Sequence, residues 1–212
     1  MAERPVFFHD CGRVVSKMCS FEWFPGFAVS QKQKSVESLH RAVLQENADA
    51  RPLEVSTKSR VPAGVRLSAF NLKLNRYTLE NIFQSAKVFE HGGPYSDLLD
   101  VPPKEAKRDE RLRNSGALKA FRYQWEEFPL IPKTVFYDYI YIRAVKESLT
   151  AEEIDAILQY NYFTDIEFNP AKSINTQART AALIRLILEE YGRIPDFSRE
   201  DFIRYHEKRV AC

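Results

Sequence analysis

The chain has 212 residues, with 31 Lys and Arg against 29 Asp and Glu and a formal net charge of +2. That length carries one substantial core or two small ones, and a charge so near neutral argues against a protein that coats nucleic acid while leaving room for a local basic patch. No apolar run approaches the ~18 residues that span a bilayer, charges interrupt MAERPVFFHDCGR before a signal-peptide core can form, and Cys11, Cys19 and Cys212 have no metal-type spacing, so a cytoplasmic protein with reduced thiols is expected.

Residues 5–30 alternate apolar and polar groups through PVFFHD, RVVSKMCSFEWF and FAVS, which predicts a short antiparallel β unit with a turn at Pro25-Gly26. Ser30 or Ser35 then caps a helix over SVESLHRAVLQENA whose buried stripe is Val36, Leu39, Val43 and Leu44. PLEVSTKS reads as a strand, VPAGVRL as a loop and SAFNLKL as a second strand. Helices follow at 78–90, 103–115, 132–148, 150–159, 174–191 and 198–208. Thr150 with Glu153 forms a capping box, and Asn169-Pro170 breaks the chain ahead of the long helix. There is no internal repeat or low-complexity linker. The expected class is α+β, mostly α: residues 51–212 form one domain, and residues 1–50 a small β-containing extension packed on it.

The segment YTLENIFQSAKVFEHGGPY, Tyr77 to Tyr95, carries the densest chemical signal. Glu80 and Gln84 stand four apart and Glu80 and Lys87 seven apart, so a single helix brings all three to one face. A Glu and a Lys at that spacing are ordinarily two solvated side chains. Here Ile82, Phe83, Ala86 and Phe89 surround them with apolar surface, which points to a pocket wall. Gly92 and Gly93 then stop the helix and let backbone approach a ligand. No GxGxxG or P-loop pattern occurs, and His9, His40, His91 and His206 are scattered, so neither a dinucleotide fold, a cofactor nor a catalytic metal is expected.

Thr78, Glu80, Phe83, Gln84 and Lys87 match the pattern S/T-x-E-x-x-F-Q-x-x-K of the NADAR (YbiA-like) family, and the chain resembles that family from about residue 53 to residue 190. LSAFNL at 67–72 is similar to the family's F-S-N-F segment, with Ala69 at the asparagine position. KEAKRDERLRNSG at 104–116 and FYDYIYIRAV at 136–145 resemble the segments that follow. DIEFNPAKSINTQARTAALIRLIL at 165–188 occupies the place of a glycine-containing family segment but lacks the glycines. Members of the family cleave N-glycosidic bonds. PGFAVSQKQKSVESLH, STKS, FEHGGPY and FTDIEFNPAKSIN resemble the branch of antitoxins paired with DarT-type DNA ADP-ribosyltransferases.

The resemblance implies a glycohydrolase that removes ADP-ribose from guanine in DNA, with ADP-ribose as product and a DarT-type toxin as functional partner. Two alternatives remain open: a glycosidase for a free ribosylamino-pyrimidine, and a non-catalytic toxin-binding antitoxin. Glycosidic cleavage calls for carboxylates, for which Glu80 and Asp165 are the candidates, or for a lysine that forms a Schiff base with ring-opened ribose, for which Lys87 and Lys58 compete. Candidate substrate contacts are Ser59, Asn71, Gln84, Gly92, Gly93, Tyr95, Arg111, Trp125, Ser173, Asn175 and Gln177. The Lys104–Arg113 cluster offers phosphate contacts, although its interleaved acids equally suit a solvated helix face.

Overall fold

The N-terminal alternation produces a hairpin of β1 (Ala2–Asp10) and β2 (Arg13–Phe21), paired antiparallel from Ala2↔Phe21 to Asp10↔Arg13. Its turn is Cys11-Gly12, with φ of 46° and 71°, the left-handed pair that a two-residue hairpin requires. Pro25-Gly26 belongs instead to the connection into α1 (Val29–Glu46). The computed structural model describes residues 1–171 and 173–210; Cys11 is exposed and Cys19 buried, and Cys212 lies outside the described residues.

α1 begins earlier than its serines suggested. Ala28 is the N-cap and supplies no side-chain bond, so neither Ser30 nor Ser35 caps the helix. Ser35 lies inside it, accepting from Phe24 N–H (3.0 Å) and donating to Gln31 C=O (3.1 Å). Val36, Leu39 and Val43 are buried against Val6, Cys19, Phe21 and Ile166, whereas Leu44 is 43% exposed because it falls off the buried stripe.

Four strands form the larger sheet, in the order β2-β1-β9-β3. β3 (Pro52–Glu54) runs parallel to β9 (Tyr162–Thr164), with Glu54 opposite Thr164, and Phe163 pairs antiparallel with Phe7 of β1. The hairpin and the strand before Asp165 therefore share hydrogen bonds in one sheet.

VPAGVRL is a helix where a loop was expected: α2 (Pro62–Arg66) starts with a proline in its first turn, where the missing N–H costs nothing. Gly64 is required there, because a Cβ would sit 1.9 Å from the Glu54 carbonyl oxygen. Only Lys73–Leu74 of SAFNLKL becomes a strand, β4, joined to β5 (Tyr77–Thr78) through Asn75-Arg76 at φ 49° and 68°.

The expected helix over 78–90 ends after two turns. Thr78 caps α3 (Leu79–Ser85) by accepting from Asn81 N–H at 3.2 Å. At its far end Tyr95 N–H donates to Ser85 C=O and Arg122 N–H to Ala86 C=O, so loop and strand take the carbonyls that another turn would use. The chain continues as β6 (Lys87–Phe89), in a sheet with β7 (Leu118–Tyr123) and β8 (Glu126–Phe128). The expected helix over 103–115 is two single turns, α4 (Pro103–Ala106) and α5 (Arg111–Asn114).

α6 (Val135–Ser148) and α8 (Gln177–Tyr191) form the centre of the main core, with every residue of α8 from Gln177 to Leu188 buried. α7 (Ala151–Asp155) opens with the Thr150–Glu153 capping box and runs into a 3-10 turn, and α9 (Arg199–Arg209) is capped by Ser198. α9 is fastened to the core by a charge cluster: Asp138 accepts from Arg179 Nη2 (3.1 Å), Thr180 Oγ1 (2.5 Å) and His206 Nε2 (2.8 Å). Burial pushes the Asp138 carboxyl up, but Arg179, His206 and Thr180 win and hold it well below the usual carboxylate range. No helix among the described residues is long and apolar enough to cross a membrane.

Candidate functional site

Although Lys87 lies on β6 and not on α3, the expected polar trio stays together. Lys87 Nζ donates to Gln84 Oε1 at 2.6 Å, and Gln84 Nε2 donates to Glu80 Oε1 at 2.7 Å. Gln84 is buried and satisfied at both ends of its amide, which fixes both neighbours. The Lys87 ammonium stands 5.2 Å from the centroid of Phe83, whose ring packs on Phe121, Phe136 and Tyr137. Burial lowers the Lys87 pKa, Glu80 opposes that shift, and Lys107 adds to it. Glu80 keeps about a third of its side chain in solvent, with Lys107 Nζ 3.9 Å from Oε2.

A second carboxyl group lies at the end of β9. Asp165 is 7% exposed, and its pKa is pushed up to about 7 by burial and by the charge of Glu54, with Gln177 and the Glu167 and Phe168 amides opposing. Thr176 Oγ1 is 3.4 Å from Asp165 Oδ2. Gln177, on the first turn of α8, faces Asp165 and accepts from Ala69 N–H at 2.8 Å, tying the 67–72 loop to the site. Glu54 lies beneath, 1% exposed, accepting from Ser56 Oγ (2.6 Å), Thr164 Oγ1 (2.7 Å) and Ile166 N–H (2.9 Å), and burial raises its pKa. His40 Nε2 extends this chain, 2.9 Å from Thr164 Oγ1, and burial pushes its pKa down to about 4.

Tyr137 joins the two halves. It is half-buried on α6, edge-on to Phe83 at 5.8 Å and 6.0 Å from Tyr141. Its pKa is raised by burial first, then by Asp165 and Asp138, and more weakly by Glu80, so the phenol stays protonated and able to donate a hydrogen bond.

Other expected residues have structural partners. Lys58 is linked to this region by its backbone N–H, which Ser56 Oγ accepts at 3.1 Å, while its Nζ donates to Thr57 Oγ1 at 3.0 Å. Ser59 is buried and accepts from Val61 N–H at 3.2 Å, and Asn71 Nδ2 donates to Val65 C=O at 2.8 Å. Gly92 and Gly93 allow close packing: an added Cβ would lie 2.2 Å from Tyr95 Oη and 2.2 Å from Lys87 C=O, respectively. Tyr95 bonds to Ser115 through its hydroxyl and carries the Arg111 guanidinium 4.5 Å above its ring. Asp97 and Asp109 both hold Arg111, at 2.6 and 2.9 Å, so it is not an open phosphate site. Trp125 stands at the β7–β8 tip, 100% exposed and at φ 69°, not in a substrate pocket. Ser173 donates to Asn175 C=O at 3.1 Å, and Asn175 Oδ1 is buried with no partner among the described residues.

Glu54 and Tyr137 join the expected residues at the site. Glu54 had a signal in the sequence, because it stands between Leu53 and Val55 and a carboxylate flanked by apolar strand residues needs a reason. Tyr137 had none, because in FYDYIYIR one aromatic looks like the next until the helix is rotated into place.

Over residues 2–211 the chain matches the model of a family described as the DarT1-associated NADAR antitoxin, and it belongs to that family. No curated protein matches it significantly.

Proposed function

We propose that this member of the DarT1-associated NADAR antitoxins is an N-glycosidase that removes ADP-ribose from guanine in DNA, with Glu80, Lys87 and Asp165 carrying the chemistry. The observation behind the reading is the unbroken Glu80–Gln84–Lys87 hydrogen-bond chain, together with a buried Asp165 carboxyl pushed up to about 7, Glu80 and Asp165 both raising the pKa of Tyr137. Breaking the bond between the ADP-ribosyl sugar and the guanine builds positive charge at that sugar's anomeric carbon, C1′ of the ADP-ribosyl group and not of the strand's deoxyribose, and negative charge on the departing base.

With its pKa about 7, Asp165 is protonated in a large fraction of molecules at neutral pH and can give that proton to the base. In the direct route the C1′–N bond breaks, its electron pair stays on the base nitrogen, and that nitrogen takes the Asp165 proton. Water adds to C1′ and passes a proton to Glu80. The products are ADP-ribose and an unmodified base; Glu80 then gives its proton to solvent and Asp165 takes one from solvent. In this reading the Tyr137 hydroxyl, kept protonated by burial, donates a hydrogen bond to a sugar oxygen.

The lowered pKa of Lys87 favours a covalent variant of the same reaction. The free amine attacks C1′ of the ring-opened sugar, and the base nitrogen leaves with a proton relayed by Glu80. Water then hydrolyses the imine, releasing ADP-ribose and restoring the amine. Lys58 is the alternative nucleophile.

The test is incubation of the purified protein with a guanine-ADP-ribosylated oligonucleotide and, separately, a free ribosylamino-pyrimidine. Release of ADP-ribose from the oligonucleotide, and its loss by about 10²–10⁴-fold in a folded E80Q protein, is expected. Cleavage of the pyrimidine alone, or full turnover by E80Q, overturns the reading. Borohydride added during turnover traps an adduct on Lys87 if the covalent route operates; without an adduct, direct hydrolysis stands. Rescue of cells from the toxin by E80A would favour neutralisation by contact.

A further inference from the structure

Phe70 is 81% exposed, yet the loop that carries it is pinned on both sides. Ala69 N–H is held by Gln177, Leu67 C=O by the Tyr141 hydroxyl, Asn71 N–H by Ser68 C=O at 2.8 Å, and the Asn71 side chain by Val65 C=O. These bonds fix the backbone on either side of Phe70, and its ring stands in water. The Gln177 amide that fixes Ala69 also lowers the Asp165 pKa against burial, so Phe70 is one residue from a backbone group held by a neighbour of the candidate acid.

Gln177 ties this loop to the segment before α8, where Ile174, three residues before Gln177, is 58% exposed. An exposed apolar ring on a fixed backbone suits a nucleobase, which offers a π-face to stack.

We propose that Phe70 is the stacking platform for the nucleobase adjacent to the modified guanine in a DNA strand, with the exposed Ile174 completing the rim. Resting on the proposed function, this makes the 67–72 loop the feature that distinguishes a modified strand from a modified nucleoside. The adjacent base must be unpaired to offer its face, so the preferred substrate is single-stranded. No bond is made or broken by Phe70; it lowers KM for the polymer and leaves the chemical step to the carboxyl groups and Lys87.

The experiment compares wild type, F70A and F70W on two substrates: a guanine-ADP-ribosylated single-stranded oligonucleotide and the corresponding modified mononucleoside. F70A is expected to raise KM for the oligonucleotide about 5- to 100-fold with kcat retained, to change the mononucleoside little, and to be rescued by F70W. Equal effects on both substrates, or none on the oligonucleotide, overturn the proposal. Binding of wild type and F70A to an unmodified single-stranded oligonucleotide, read by fluorescence anisotropy, tests it without turnover. A matching loss of affinity in F70A supports the platform even if the glycosidase reading fails, and equal affinity refutes it. Phe70 is outside the core, so an unchanged F70A melting temperature is the expected control.

Discussion

Replacing Asp165 with Asn should make the protein more stable at pH 8 and less active, because its carboxyl is held against its own ionisation. Its pKa is about 7 in the fold, against an ordinary value of 3.8. The folded state therefore binds more protons than the unfolded one between those values, and stability is lost as pH rises through that window. The gap is worth roughly 4 kcal/mol once Asp165 is ionised. Asn carries no charge and keeps an acceptor for Glu167 N–H, now at 3.2 Å, but gives up the contact with Thr176, a loss of about 1 kcal/mol. The net gain of about 3 kcal/mol corresponds to a melting temperature about 6–12 °C higher at pH 8 for a chain of this size. Thermal or urea unfolding of both proteins from pH 4 to pH 8.5 reads it directly: the difference should be small near pH 4, grow to pH 7 and then level off. A difference independent of pH, or a D165N protein less stable than wild type at pH 8, would refute the account of Asp165 as a strained acid. If Asp165 is the leaving-group acid, wild-type turnover should also fall above pH 7.

Gly64→Ala should cost more than about 2 kcal/mol, measured by urea unfolding, because the new Cβ lies 1.9 Å from the Glu54 carbonyl oxygen and backbone must move. Asp138→Ala strands Arg179 without its buried partner and should destabilise by about 3–5 kcal/mol; a loss below 1 kcal/mol would deny that this cluster fastens α9. KM for a modified oligonucleotide should rise with salt as phosphate contacts release counterions. Charge reversal at Lys104 or Arg113 should flatten that dependence, and the same change at Arg111, already held by Asp97 and Asp109, should disturb folding instead. A KM insensitive to salt would remove the phosphate contact from this region.

What the sequence determined by itself lies in local pattern. Alternation marked the N-terminal β unit, the Thr150–Glu153 capping box marked α7, and the apolar run of α8 marked the central helix, because each is decided by neighbours in the chain. The spacing of Glu80, Gln84 and Lys87 likewise announced a polar cluster that the hydrogen bonds complete.

What tertiary structure decided is where those patterns stop. α3 breaks at Ser85 because Tyr95 and Arg122, distant in sequence, take its last carbonyls, and Lys87 reaches Gln84 from a strand. The turns Asn75-Arg76 and Gln124-Trp125 adopt left-handed backbone without the Asn-Gly signal that would have announced them, so β4, β5, β7 and β8 were hard to read. Burial first, and then the charge of Glu54, turn an ordinary aspartate into an acid that titrates near neutrality, and Glu54 lies beside Asp165 only because β3 pairs with β9 across more than a hundred residues, a pairing absent from any window of sequence.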